Sequence, residues 1–279
     1  MLKMTIVTKG GNTMEMQYFK DYSPALGRDM ECKIYGRAGR PMLYIPCQDG
    51  RFFDFENFHM NDTLAPWIES GQIMVLSIDT MDKETWSDTQ GDPYWRIRRY
   101  EQWLRYIVEE AVPKVQYLAK ERNGWDDLPG VIAFGCSLGA THAVNLYLRR
   151  PDVFCGCLAL SGIYTAHYGF GNYMDELVYM NSPVDYMKNF PEDHPTCSCT
   201  AARRRSSAAV RATGSSRTLH GSSSVSSRPR TSPSGWTCGA TMSTTTGTGG
   251  ISRSHITCRI FLASSKANFR KPSPEGNRC

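Results

Sequence analysis

Residues 131–144, VIAFGCSLGATHAV, restrict the backbone more than any other stretch of the chain. Five apolar or small residues, Val131 to Gly135, enter a turn at Gly135-Cys136-Ser137-Leu138-Gly139, and an amphipathic helix leaves it. The pattern G-x-S-x-G predicts a very tight strand-to-helix turn that projects the serine hydroxyl clear of the backbone. The residues two before and two after the serine must be small, because the chain folds back on itself there. The amide of Leu138, at the helix N-terminus, then faces a developing oxyanion. The bare pattern is common, and a turn with a capping serine also produces it. The strand before it and the helix after it make Ser137 the candidate nucleophile.

Strand and helix signals alternate around this turn, which predicts an α/β fold with a doubly wound, mostly parallel sheet. Residues 30–36 (MECKIYG) and 41–47 (PMLYIPC) read as strands, with GRAGR as the turn between them. Residues 55–71 have helical spacing and close on Gly71, a C-cap signal. Residues 73–80 form a buried strand. Residues 94–121 form a long amphipathic helix expected to kink at Pro113, where proline removes a ladder donor. A strand at 130–136, a helix at 139–151 and a strand at 155–162 follow. The aromatic region 163–190, interrupted by Gly and Pro, reads either as an excursion that shapes a pocket or as an ordinary connecting helix pair.

From residue 16 to 195 the chain resembles the "Putative esterase" family of α/β-hydrolases, whose members include feruloyl and siderophore esterases, S-formylglutathione hydrolases and mycolyltransferases. The matching stretches are YIPCQDGRFFDFENF, EQWLRYIVEEAVPKV and FGCSLGA. The resemblance implies a serine carboxylic-ester hydrolase that works through an acyl-enzyme on Ser137. It places the second oxyanion donor on the backbone amide of Arg51, after Asp49-Gly50, beside that of Leu138. It implies a small-molecule ester as substrate and requires no metal and no organic cofactor. Acyl transfer on the same fold and a non-catalytic binding protein are the alternative readings.

Other candidates have plainer readings. Asp79 ends a strand on the side where open α/β sheets bind ligands, but a structural acceptor is the better reading. His142 lies five residues past Ser137 on the same helix, turned away from the hydroxyl, and reads as a surface or packing histidine. His59 and His167 have no assigned role. Trp86 and Trp95 are expected to be buried rather than to edge a cleft. Five cysteines precede residue 196 (Cys32, Cys47, Cys136, Cys155 and Cys157), and they read as small hydrophobes of a reduced, cytosolic protein. Cys155-Gly-Cys157 is too closely spaced for the usual metal or redox pair. No apolar run is long enough for a membrane span, and the N-terminus lacks a signal-peptide pattern.

The composition breaks after Pro195. Residues 1–196 carry 19 Lys and Arg against 26 Asp and Glu, whereas residues 197–279 carry 13 against 1. Domain boundaries are therefore expected at 1–195 for the hydrolase unit and 196–279 for a basic, low-complexity tail. A serine needs a positioned histidine and usually a carboxylate, and in this fold both follow it in the chain. After Asp193 only Glu275, His194, His220 and His255 are available, none in a strand-then-loop setting. A basic segment for nucleic acid, a low-complexity tail and a domain read out of frame all compete here.

The genetic code favours the last. If one base is lost near the codon of Pro195, residues 239–250 permit W-G-H-D-V-N-H-D-W-Y-W-W, residues 251–256 permit Y-K-Q-I-P-Y, and residues 196–202 permit Y-M-x-L-Y-R-R, all in one register. These strings resemble the family's C-terminal part, where a His-Asp-Trp segment carries the catalytic histidine. In the restored frame the base falls at the position written as Thr245 and the acid near 213–217. His255 decodes to proline. The expected partners therefore exclude nucleic acid and membrane. An uncovered sheet edge, poor solubility and inactivity are expected of the chain as written.

Overall fold

A computed structural model describes residues 3–9, 12–187, 237–240 and 258–261, with side chains from Met14 to Met187. Strands β1 (Lys3–Lys9), β2 (Asn12–Ser23) and β3 (Arg28–Tyr35) form an antiparallel ribbon. Strands β4 (Arg40–Ile45), β5 (Ile73–Ile78), β6 (Val131–Cys136) and β7 (Phe154–Leu160) complete a seven-stranded sheet in the order β1-β2-β3-β5-β4-β6-β7. β3 meets β5 antiparallel, and β5, β4, β6 and β7 run parallel. The α/β expectation is met. GRAGR does not close a hairpin, because β5 lies between β3 and β4.

Alternation along the strands sends successive side chains to opposite layers. Leu43, Ile45, Leu76, Ile78, Val131 and Ala133 enter one core; Tyr44, Val75 and Phe134 enter the other. The first core is roofed by α3 (Pro93–Tyr106), α4 (Val112–Asn123) and α5 (Leu138–Arg149). The second is covered by α1 (Asp54–Asn57) and α2 (Met60–Glu69), through Phe55, Leu64 and Ile68. The single helix expected over 55–71 is thus two, broken at His59, whose φ of 55° is left-handed. Gly71, at φ +73°, ends the second as expected.

The long helix does change course near Pro113, but upstream of it. Residues 107–111 form one widened, π-helical turn between α3 and α4, so that Pro113 enters the first turn of α4, where its missing N–H costs no ladder bond. After β7 the chain makes short helices α6 (His167–Phe170), α7 (Glu176–Met180) and α8 (Pro183–Tyr186). They dock on the first core through Ala166, Phe170 and Val178.

Among the described residues of the seven-stranded sheet, β7 has β6 alone as neighbour. Beyond residue 187, strands β8 (Thr237–Ala240) and β9 (Cys258–Phe261) pair antiparallel with each other. The boundary at 195, and the remainder of the basic tail with its histidines, lie outside the described residues.

Candidate active site

β4 is where the sheet reverses direction of growth: the chain passes from β4 to β5 on one side and then returns by α3 and α4 to β6 on the other. Loops leaving the carboxyl ends of two such strands diverge and open a crevice between them. The turn after β6 and the loop 46–53 after β4 therefore share one place, with Ile45 in register with Gly135.

Ser137 occupies φ 57°, ψ −127°, a conformation rarely adopted by a residue with a side chain. Such a residue is strained by about 1–3 kcal/mol and persists only where its surroundings hold it. Here the Ser137 amide donates to the Leu160 carbonyl at 2.9 Å, and its carbonyl accepts the Ala140 and Thr141 amides. A Cβ on Gly135 would lie 2.6 Å from the Gly139 carbonyl and 2.7 Å from the Ile45 oxygen. A Cβ on Gly139 would meet the Ile45 and Pro46 oxygens closer still. The small residues of the pattern are thus required by backbone crossing backbone. The serine side chain makes no capping bond to α5, so the turn is not an ordinary capped helix start. Among the described residues its hydroxyl has no hydrogen-bond partner, and the residue is half-buried. Leu138 supplies the first amide of α5, one of those a helix leaves without an internal acceptor.

The loop after β4 is held from below by two carboxylates. Asp79 Oδ1 accepts both the Phe52 amide and Arg51 Nε at 2.8 Å, and its carbonyl accepts Trp103 Nε1 at 3.0 Å. Asp79 is the structural acceptor expected of it; burial pushes its carboxyl up, with the Arg51 guanidinium opposing. The Arg51 amide, the residue assigned to the oxyanion by resemblance, donates to Asp54 Oδ2 at 2.9 Å.

Asp82 is the second carboxylate, and nothing in the sequence pattern singled it out. Its Oδ2 accepts the amide of Asp49, itself at φ 60°, and its Oδ1 accepts from His142 Nε2 at 3.0 Å. The Tyr100 hydroxyl lies 2.8 Å from His142 Nδ1, so both ring nitrogens are engaged in hydrogen bonds. The His142 and Asp82 side chains are 0% and 1% exposed, with Trp86, Tyr100 and Trp103 rings around the histidine. His142 is therefore a packing histidine and not a surface one. It ties the helix behind Ser137 to the loop beside it.

His142→Ala leaves the buried Asp82 carboxylate short of a donor, which costs about 1–3 kcal/mol for a buried acceptor left unsatisfied. Urea unfolding of the two proteins should show that loss. A difference under about 1 kcal/mol would mean that water replaces the imidazole freely.

Among the described residues, the other two histidines make their hydrogen bonds away from Ser137. His59 is exposed and pairs with Asp62, and His167 bonds the Gly171 carbonyl. Trp86 is buried as expected, but Trp95 is 66% exposed. It sits at the first turn of α3, where the ring packs edge-on against Tyr94 instead of entering the core. The excursion after β7 reaches the site loop: Tyr168 donates its hydroxyl to Gln48 Oε1 at 2.6 Å, and Arg96 reaches the Gly169 carbonyl at 2.7 Å. No group of His, Cys, Asp or Glu among the described residues is arranged to hold a metal, and none of their helices is long and apolar enough to cross a membrane.

A strained serine at the carboxyl end of a parallel strand, on a sheet of this order, defines an α/β-hydrolase enzyme. The family profile described as "Putative esterase" matches residues 23–218, and the chain belongs to that family of carboxylic-ester hydrolases. No curated protein matches it significantly. Solved structures similar to it include an S-formylglutathione hydrolase from Staphylococcus aureus, at 10% identity over 66% of this chain and 73% of that one, TM-score 0.43. A second, from Agrobacterium tumefaciens, shows 16% identity over 64% and 71%, TM-score 0.47. A ferulic acid esterase shows 16% identity over 70% and 77%, TM-score 0.49.

Proposed function

We propose that the parent of this chain hydrolyses small carboxylic esters through an acyl-enzyme on Ser137. The observation that carries this is the strained serine, held between two glycines that tolerate no Cβ, with its hydroxyl unbonded among the described residues. Ser137 attacks the ester carbonyl. The Leu138 amide, at the positive end of α5, receives the oxyanion. The Arg51 amide serves as the second donor only once Asp54 releases it. A histidine following Ser137 in the chain takes the hydroxyl proton and passes it to the leaving alcohol. Water then repeats the attack on the acyl-enzyme. The scheme calls on no cofactor.

That histidine is the part the chain as written lacks. In our reading the tail is a hydrolase C-terminus displaced by one base near the codon of Pro195, with the base at the position written as Thr245. In the same reading the chain as written is inactive, and the protein belongs to the cytoplasm.

A fluorophosphonate probe with peptide mapping tests the scheme. The frame-restored protein should carry the phosphonate on Ser137 within minutes, and Ser137→Ala should carry none. A folded, frame-restored protein that stays unlabelled would mark the fold as a binding module.

A further inference from the structure

The turn that carries the Arg51 amide is held by one short segment of the chain. Residues 79–82 leave β5 and run beside residues 49–52. Asp82 Oδ2 accepts the Asp49 amide at 3.0 Å, and Asp79 Oδ1 accepts the Phe52 amide at 2.8 Å. Between these two bonds Thr80 donates twice to one atom: its amide, at 3.2 Å, and its Oγ1, at 2.9 Å, both reach the Gly50 carbonyl. A carbonyl oxygen has two lone pairs, so this acceptor is filled. The Gly50 amide donates within the turn to the Cys47 carbonyl at 2.9 Å. Of the four amides from Asp49 to Phe52, that of Arg51 alone rests on a half-buried side chain of the next turn, Asp54.

We propose that Thr80 is a positioning residue: by holding the Gly50 carbonyl it fixes the direction of the Arg51 N–H, and so places the second oxyanion donor. In a planar trans peptide the C=O and N–H of one unit point opposite ways, and the Gly50–Arg51 unit is trans. A carbonyl turned toward Thr80 therefore turns the Arg51 amide to the opposite side, where Asp54 now accepts it. The unit has little room to turn otherwise: a Cβ on Gly50 would lie 2.5 Å from Pro46 Cβ and 2.8 Å from the Cys47 oxygen. An oxyanion that displaces Asp54 then meets a donor already aimed, and donors fixed in advance are the ones that stabilise developing charge. Thr80 touches no substrate in this scheme and acts through the peptide unit. Its effect on turnover rests on the esterase reading; its hold on the Arg51 amide does not.

The test compares Thr80→Val and Thr80→Ala, which remove the hydroxyl, with Thr80→Ser, which keeps it. In the full chain as written, hydrogen exchange over residues 47–53 is read by mass after peptide fragmentation. Loss of one hydrogen bond should speed exchange of the Arg51 amide about fivefold in the Val and Ala variants, with β5 amides unchanged and the Ser variant like the parent. In the frame-restored protein, kcat on p-nitrophenyl acetate should fall about tenfold for Val and Ala with KM within about twofold, and Ser should match the parent in both. A hydroxyl that merely supports the fold would change the unfolding midpoint and not kcat. Unchanged Arg51 exchange in Val and Ala, an unchanged kcat, or a loss of kcat that Ser shares would overturn the proposal. A restored parent without turnover would defeat the esterase reading instead, and the exchange rates would still decide whether Thr80 orients the Arg51 amide.

Discussion

Restoring the reading frame after Pro195 is expected to raise the rate of aryl-ester hydrolysis by at least about four orders of magnitude over the chain as written. The basis is the chemistry of the hydroxyl. A serine is a weak nucleophile at neutral pH unless a base accepts its proton as the bond to carbon forms. Where one member of a serine–histidine pair is removed, the loss in kcat reaches about 10⁶, and roughly 10³–10⁴ over water survives from oxyanion binding and orientation. The chain as written retains the Leu138 amide and the bend, so it should show that residue of catalysis and no more. Ser137→Ala in the frame-restored protein should fall to the same floor. Initial rates on p-nitrophenyl acetate measure all three. Comparable rates for the chain as written and the restored one would remove the basis for a displaced frame.

The second large effect concerns folding. Gly139→Val is expected to cost about 4 kcal/mol or more, the level reserved for overpacking against atoms that cannot yield. The obstruction at Gly139 is the backbone of Ile45 and Pro46, part of a central strand and its exit, not the mobile end of a side chain. For a chain of this size that loss lowers Tm by about 10 °C, readable by circular dichroism. Gly124→Ala provides the contrast. Gly124 also has positive φ, at +63°, yet a Cβ there meets nothing within 4 Å. Only the left-handed backbone is strained, which costs about 1 kcal/mol. Equal losses at the two sites would show that conformation, not close approach, selects glycine in the bend.

The parallel half of the sheet was legible because β5 and β6 are continuous apolar runs bounded by turn signals. Burial on both faces leaves Ser77 of β5 as the one polar side chain in the two runs, too little to disturb the pattern. β2 was not, since Glu15, Lys20 and Asp21 interrupt it and most of its side chains are only partly buried. The tight bend at Ser137 was legible from local spacing, because it is built from five consecutive residues. Asp82 was not: it, its partners Asp49 and His142, and Tyr100 beyond His142 come from four separate segments and meet only in three dimensions. Trp95 was misplaced because helical spacing alone does not say how far the first turn of α3 projects past the layer beneath it.

Among the described residues, the contacts that bend the chain at Ser137 come from residues 45–160: the Ile45 and Pro46 oxygens, the two glycines and the Leu160 carbonyl. The posture of Ser137 is therefore set within that span. On the proposed displaced frame, a separate polypeptide spelling the restored C-terminal third is expected to bind this body, and fragment complementation would reassemble the enzyme from two halves.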